Sequence, residues 1–220
     1  MISEEGKRKS RPCESKSSAF ITLQYMNETQ SILNTSNSYA MLHGIFLGIW
    51  GILSLVFNVL SLTQVWMQLP VMLFTLSSPF FACWLTFRFR REVAPLPTQS
   101  FSFTAGFLHT FFCGFYASLW VALFVYIYLR FLDGGYVFDL YEQILKAPDF
   151  QQALRASGMS ATIEPMGGVK GMVEQMRALP PSSYASTFFI YSLLLAPFFS
   201  LIIGALSSRK ARPPRIDACQ

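Results

Sequence analysis

The stretch LHGIFLGIWG, residues 42–51, places one histidine and three glycines in an otherwise apolar run. If the segment is helical, successive side chains are separated by about 100°, so all three glycines fall on one face. The same face also carries four more small or polar residues: Ala40, Ser54, Asn58 and Ser61. Small residues let a second helix come close, which is how helices associate in lipid. The stretch therefore predicts a packed membrane helix and raises the question of what its histidine does.

The composition of the whole chain agrees with this interpretation. The chain has 220 residues, of which 52% are hydrophobic and 13% are charged. Soluble domains carry about 25% charged residues, so the deficit is typical of an integral membrane protein. The net charge is +5, and we attribute the Lys and Arg residues to membrane topology. No nucleic acid is expected as a partner.

Four apolar segments are long enough to span a bilayer, which takes about 20 residues. They cover residues 39–63, 69–87, 101–129 and 184–206, and none of them contains Asp, Glu, Lys or Arg. Because backbone in hydrocarbon must satisfy its own hydrogen bonds, each segment is predicted to be an α-helix. The predicted fold class is therefore an all-α membrane protein, with a four-helix transmembrane domain over residues 39–208.

Polar segments flank and interrupt this domain. Residues 1–38 are predicted to be a disordered tail, in which Met26 is an alternative start, and residues 209–220 a short basic tail. Between the third and fourth helices, residues 132–183 are predicted to form three short helices that either lie on the outer membrane surface or cap the bundle. Asp149 is expected to cap the second of these helices.

Basic residues are distributed unevenly between the segments that connect the spans. They cluster before the first span, in the turn FRFRRE at residues 87–92 and after the fourth span. The connection at residues 64–68 has none, and residues 132–183 are nearly balanced in charge. The positive-inside rule then predicts a multi-pass membrane protein with both termini and the FRFRRE turn in the cytoplasm. The helical loop is expected on the opposite side of the membrane.

Four polar side chains within the spans are candidates for an intramembrane site: His43, Asn58, Cys83 and His109. Ionisable groups within a membrane are functional candidates, and His and Cys are ligands that zinc and copper use. The alternatives are a metal or proton site and hydrogen-bonded packing residues, of which packing is the preferred interpretation. No metal or cofactor is therefore predicted. The residues expected to hold the helices together are Gly44, Gly48, Gly51, Ser200 and Gly204.

The sequence carries no nucleotide-binding glycine loop, no GxSxG or HExxH motif, and no carboxylate within a span. We therefore expect a non-enzymatic accessory or interaction protein of the cell envelope. Its partners would be the lipid bilayer and either another protein or a second copy of itself. The main alternative is an oligomeric channel or small-solute transporter, which Pro79 and Pro197 favour because proline kinks a helix. A metal or proton site is the third hypothesis.

Four segments in this order, YAMLHGIFLGIWGIL, FRFRRE, QSFSFTAGFLHTFFCGF and FFSLIIGALSSRK, resemble a family of bacterial inner-membrane proteins. This family is the domain of unknown function 4199, and the resemblance covers residues 39–210. The turn FLDGGY departs from the proline-containing turn expected there, and the N-terminal tail is longer than usual. The resemblance implies a four-helix membrane fold and a location in the bacterial inner membrane, with the helical loop, residues 132–183, in the periplasm. It implies no activity and no catalytic residues.

Overall fold

The computed structural model of the chain describes residues 14–96, 98–158 and 163–211. Within these residues the regular secondary structure is helical, apart from an isolated antiparallel bridge between Phe101 and Arg209. The helices are α1 (Glu14–Ser61), α2 (Gln68–Val93), α3 (Phe103–Ile127), α4 (Tyr136–Lys146), α5 (Pro148–Ala156), α6 (Gly168–Ala178) and α7 (Pro181–Ser207).

Four helical segments are long and apolar enough to cross a membrane: Gln30–Ser61, Val65–Val93, Phe103–Leu132 and Pro181–Ser207. The second segment begins with a 3₁₀ turn, Val65–Met67, and the third ends in a π-helical segment, Tyr128–Leu132, that continues α3. The prediction of an all-helical chain with four apolar spans is confirmed. Spans of this length and composition are those of a multi-pass membrane protein.

The first helix begins far earlier than expected. The sequence predicts disorder up to residue 38, whereas α1 begins at Glu14, so the prediction is wrong for residues 14–38. No Gly or Pro occurs between Glu14 and His43, so no helix breaker interrupts the helix on the N-terminal side of the first span. Residues 1–13 and 212–220 lie outside the described residues.

The chain leaves the third span through a glycine turn. Gly134 and Gly135 have φ of +54° and +94°, a backbone conformation that glycine adopts without strain. The carboxylate of Asp133 accepts the backbone N–H groups of Gly135 (3.1 Å) and Val137 (3.0 Å). These bonds satisfy N–H groups at the start of α4, which would otherwise have no partner in the helix.

Three short helices, α4, α5 and α6, follow this turn, and we call them the cap. The second of them begins differently from the expectation. Pro148 occupies the first position of α5, Ala147 precedes the helix, and Asp149 lies inside the first turn. The expectation that Asp149 caps α5 is therefore wrong. The physical reason is that the ring of Pro148 holds φ near its helical value, which favours proline at the first helical position.

The spans pack around α3, which lies between α1 and α7. A Cβ atom on Gly44 would lie 2.5 Å from the Cβ of Tyr116, and one on Gly48 would lie 2.9 Å from the Cβ of Trp120. A Cβ atom on Gly51 would likewise lie too close to a side chain of α3. Residues larger than glycine would therefore force α1 away from α3.

The contact between α3 and α7 also depends on a small residue. A Cβ atom on Gly204 would lie 3.0 Å from the backbone nitrogen of Phe107. Ser200, one turn earlier on α7, is completely buried, and its hydroxyl donates to the carbonyl of Ala196 at 2.7 Å. Small residues on α1 and on α7 thus place both helices close to α3.

The two ends of the bundle are built differently. At one end, the guanidinium of Arg209 donates to the carbonyls of Ala94 (2.8 Å), Leu96 (2.7 Å) and Gln99 (3.3 Å). The backbone of Arg209 pairs with that of Phe101, the residue just before α3. We call this the Arg209 end; it ties the connection between α2 and α3 to the end of α7. The cap covers the opposite end.

Candidate functional site

His43 and His109, the two histidines of the chain, meet in the interior of the bundle, and we call them the histidine pair. The Nδ1 atom of His43 lies 2.9 Å from the Nε2 atom of His109. The side chains are nearly inaccessible, with exposed fractions of 4% and 0%. Their contact depends on Gly44, the residue after His43, because this glycine lets α1 approach α3 so closely. The pair therefore joins two helices through a buried polar contact.

Two threonines extend this contact to a third helix. The Oγ1 atom of Thr86 on α2 lies 3.3 Å from the Nδ1 atom of His109 and 2.9 Å from the Oγ1 atom of Thr110. The hydroxyl of Thr110 lies 2.8 Å from the carbonyl of Gly106. Side chains from α1, α2 and α3 thus form one buried chain of hydrogen bonds, which we call the histidine–threonine chain.

The hydrogen atoms of the histidine–threonine chain can be placed so that each group donates to the next one along it. If His43 donates from Nδ1 to His109, then His109 donates from its own Nδ1 to Thr86. Thr86 then donates to Thr110, whose hydroxyl donates to the Gly106 carbonyl. Every donor has an acceptor, as burial requires. The three contacts between side chains are also satisfied when each of these hydrogen bonds is reversed. The histidine–threonine chain therefore has two arrangements, which differ in the tautomers of both histidines.

Aromatic rings surround the histidine pair. The ring of Phe89 stacks on His109 with 4.2 Å between the ring centroids and 7° between the planes. Tyr39 lies 6.3 Å from His43 and 5.3 Å from Phe89, measured between centroids. These rings form an apolar environment, in which the contact between the two imidazoles is stronger than it would be in water.

The other predicted site residues lie apart from this chain. Asn58 is exposed on α1 and lines an apolar cavity beneath the cap. Cys83 is partly buried on α2. A cysteine outside the predicted set, Cys113 on α3, is buried against Ala40 and Leu85. Among the residues that the structure describes, no three His, Cys, Asp or Glu side chains are close enough to hold a metal ion. The histidine pair alone supplies two of the three or four protein ligands that zinc sites use.

Thr86 and Thr110 are not among the residues that the sequence predicted for a site. Threonines in helices commonly donate to the carbonyl four residues earlier, and Thr86 does lie 3.0 Å from the carbonyl of Ala82. The spacing within one helix therefore contains no signal that distinguishes a structural threonine from one that bonds to a neighbouring helix. The register of α2 against α3, which brings the two threonines together, is a property of the tertiary structure.

A second polar cluster lies in the cap, outside the spans. Arg177 on α6 forms ion pairs with Asp139 and Glu142 on α4. The ammonium of Lys146 donates to Glu142 at 2.6 Å and holds the pKa of this carboxyl below its ordinary value, an effect that Arg177 strengthens. Opposite charges thus join the first and last helices of the cap.

Comparison with known proteins identifies a family. No curated protein and no solved structure was found to match the chain. The sequence model of one family, described as "Protein of unknown function (DUF4199)", matches residues 38–209. These residues contain all four apolar spans except the start of the first, and they contain the histidine–threonine chain and the cap. The resemblance seen in the sequence is thereby confirmed, and the chain belongs to the DUF4199 family.

Proposed function

We propose that the protein is a non-enzymatic accessory protein of the bacterial inner membrane, which binds a partner protein through the outer surface of its cap. The observation that carries this proposal is the construction of the cap. Arg177 joins α6 to α4, and the hydroxyl of Tyr184 on α7 donates to the carbonyl of Met176 on α6 at 2.6 Å. A charged surface is therefore held in a defined position at one end of the bundle, as an interaction surface requires.

The distribution of charge supports a periplasmic cap. Arg90 donates to the carbonyl of Ser207 at 3.1 Å, so the basic end of α2 and the end of α7 lie together. Arg88, Arg91 and Arg209 belong to the same end of the bundle. Under the positive-inside rule this end, with both termini, faces the cytoplasm.

The test is cross-linked co-purification of the full-length protein from its native membrane, followed by mass spectrometry. Lys170 and Glu174 form an exposed ion pair on α6, and Arg88 and Glu92 form an equivalent pair at the Arg209 end. Replacing both members of either pair by glutamine should change stability by about 0.5 kcal/mol or less. We expect a stoichiometric partner whose recovery falls several-fold for the Lys170 and Glu174 variant and is unchanged for the Arg88 and Glu92 variant.

Two results would contradict this function. One is equal recovery of the partner with both variants, which would mean that the cap surface does not bind it. The other is recovery of the protein alone, cross-linked to itself, which would support a homo-oligomer and return attention to the channel or transporter hypothesis.

A second candidate function is proton binding within the membrane at the histidine pair. The observation that favours it is the 2.9 Å separation of the two ring nitrogens, which leaves room for one hydrogen between them. Solid-state NMR of the ¹⁵N-labelled protein in bilayers tests it. We expect coupled changes of both imidazoles as the pH is lowered, and independent titration of each ring would remove this candidate.

A further inference from the structure

An apolar cavity lies between the cap and the spans, and we call it the cap cavity. Its volume is ≈ 440 Å³, within the range of about 300–1,000 Å³ that small-molecule sites occupy. The side chains of Leu55 and Val59 on α1, Val125 on α3, Phe138 on α4 and Phe188 on α7 line it. The cavity exists because α1 and α7 both pack on α3 rather than on each other, while α4 and α6 cover the gap.

Tyrosines form the polar part of the cavity wall. Tyr128, Tyr136, Tyr141 and Tyr184 line it together with the exposed amide of Asn58. Tyrosine is enriched where hydrocarbon meets the headgroup region of a bilayer, because its ring is apolar and its hydroxyl is polar. The cavity thus combines apolar walls with tyrosine side chains, the residue type that suits contact with both a lipid chain and its headgroup.

A smaller pocket of ≈ 250 Å³, with two charged residues in its wall, adjoins the cap cavity, and we call it the side pocket. The two share Leu129, Phe138 and Tyr184 as wall residues. The side pocket adds one carboxylate, Asp133, and one guanidinium, Arg177. An apolar cavity beside a pocket with both charges suits a molecule that has a long apolar chain and a dipolar head.

The charges in the side pocket further restrict which charged groups the head of the bound molecule can carry. Asp133 is 6% exposed, and within the described residues no Lys or Arg forms an ion pair with its carboxylate. Arg177 already contacts two carboxylates, Asp139 and Glu142, although a guanidinium has five N–H donors. A purely anionic head would meet the carboxylate of Asp133 and a guanidinium whose charge two further carboxylates already offset. A head that carries an amine as well as a phosphate offers the amine to Asp133 and the phosphate to Arg177.

We propose that the cap cavity and the side pocket bind one bilayer phospholipid with a zwitterionic, amine-bearing head. One acyl chain occupies the cap cavity, and the head occupies the side pocket. Apolar walls without neighbouring atoms lose their dispersion contacts, so a cavity of this size is more favourable filled by a chain from the surrounding bilayer. The cap then holds one lipid out of the leaflet on its side of the membrane.

The test uses the full-length protein, purified in detergent and freed of lipid, with native mass spectrometry to count bound lipids. The probes are phosphatidylethanolamine and phosphatidylglycerol with identical acyl chains. We expect one bound phosphatidylethanolamine, with about a tenfold preference over phosphatidylglycerol. Equal binding of the two lipids would overturn the proposal, because the side pocket would then not recognise the head.

Matched variants separate the two parts of the site. Val59→Trp fills the cap cavity and should lower the bound fraction of phosphatidylethanolamine about tenfold, whereas Leu53→Trp, exposed on the same helix, should leave it unchanged. Asp133→Asn removes the charge that faces the amine, so it should remove the preference between the two lipids. Arg177→Gln removes a phosphate contact common to both lipids and should weaken the binding of both about tenfold, whereas Lys170→Gln, on the same helix but outside the pocket, should change neither. Unchanged lipid binding in Val59→Trp and Arg177→Gln would overturn the proposal.

A measurement on the unaltered protein covers the case in which Val59→Trp fails to fold. Phosphatidylethanolamine with a photoreactive group in one acyl chain is cross-linked to the protein in vesicles, and the adducts are mapped by peptide mass spectrometry. We expect adducts on the cavity walls of α1, α3 and α4. Adducts distributed over the exposed faces of α2 and α7, or a cavity found to hold a fatty acid or a polypeptide instead, would contradict the proposed occupant.

Discussion

Single residues decide the polar interior of this membrane bundle. His43 and His109 are separated by 66 positions in the chain, yet their ring nitrogens lie 2.9 Å apart. Each imidazole would be costly to bury alone, because a polar group in an apolar interior without a hydrogen bond loses its solvation. The pair is stable because each ring is the partner of the other, and Thr86 is a further partner of His109.

The first prediction concerns this mutual dependence. His43→Leu and His109→Leu should each destabilise the protein by about 1–3 kcal/mol, since each leaves a buried polar group unsatisfied. The double variant should cost less than the sum, with a coupling of about 0.6 kcal/mol or more, the average for interhelical hydrogen bonds in membranes. The measurement is the free energy of unfolding in mixed micelles.

The same double-mutant cycle on Ser54 and Thr75 provides the control for that prediction. Their hydroxyls also join two helices, at 3.3 Å, but in an exposed position. We expect a smaller coupling there than for the histidine pair. Strictly additive effects of the two histidine substitutions on the free energy of unfolding would contradict a stabilising hydrogen bond between the rings.

At the scale of elements, the contacts of α3 with its two neighbours depend on glycine. Gly44 and Gly48 let α1 lie against the backbone of α3, and Gly204 does the same for α7. Helices in lipid gain little from the hydrophobic effect when they associate, so close packing of this kind supplies much of the stabilisation. The position of the histidine pair follows from these contacts.

The second prediction compares two glycines that differ in how much room a Cβ atom would have. Gly44→Ala would place a Cβ atom 2.5 Å from the Cβ of Tyr116, so it should destabilise the protein by about 1–3 kcal/mol through overpacking. Gly114→Ala would place its Cβ 3.3 Å from the Cβ of Ala196 and should cost less than 1 kcal/mol or so, because alanine also favours the helix. Unfolding in mixed micelles decides between them, and equal effects would contradict close packing at Gly44.

The third prediction concerns the connection between α2 and α3. Arg209→Gln removes three hydrogen bonds to carbonyls in residues 94–99, so the amide of Phe101 should exchange with solvent about tenfold faster. Arg209→Lys should have an intermediate effect, because lysine keeps the charge but not the planar fork of donors. Hydrogen-exchange mass spectrometry provides the measurement. Unchanged exchange in both variants would show that Arg209 does not hold this connection.

At the scale of the whole molecule, the ends of the bundle differ in charge and in construction. The Arg209 end gathers the basic residues at the end of α2 and just after α7, whereas the cap carries charges of both signs. This asymmetry is the basis of the proposed orientation, with the cap in the periplasm.

The fourth prediction tests that orientation with a membrane-impermeant maleimide. One variant keeps Cys219 as its only cysteine, and another carries Lys170→Cys, at a side chain that is 71% exposed on the cap, as its only cysteine. Intact cells should be labelled at position 170, and Cys219 should react only after the inner membrane is permeabilised. The reverse pattern would place the cap in the cytoplasm and contradict the proposed location.

The sequence alone determined the number of spans, their helical state and the residues that pack closely. Apolar length and the absence of charge predict a membrane helix because the bilayer leaves backbone no other partner. Gly44, Gly48 and Gly51 fall on one face by helix geometry, without knowledge of the partner helix. Hydropathy could not locate the start of α1, because low hydropathy marks the end of a membrane span but not the end of a helix.

Only the tertiary structure decided which polar residues meet. Helical periodicity gives the face on which His43 or Thr86 lies, but it contains no information about the register of one helix against another. That register depends on close packing across three helices, and it brings His109 to His43 and to Thr86 while leaving Asn58 beside the cap cavity. The cap cavity likewise arises from the arrangement of five helices, none of which carries a pattern that predicts it.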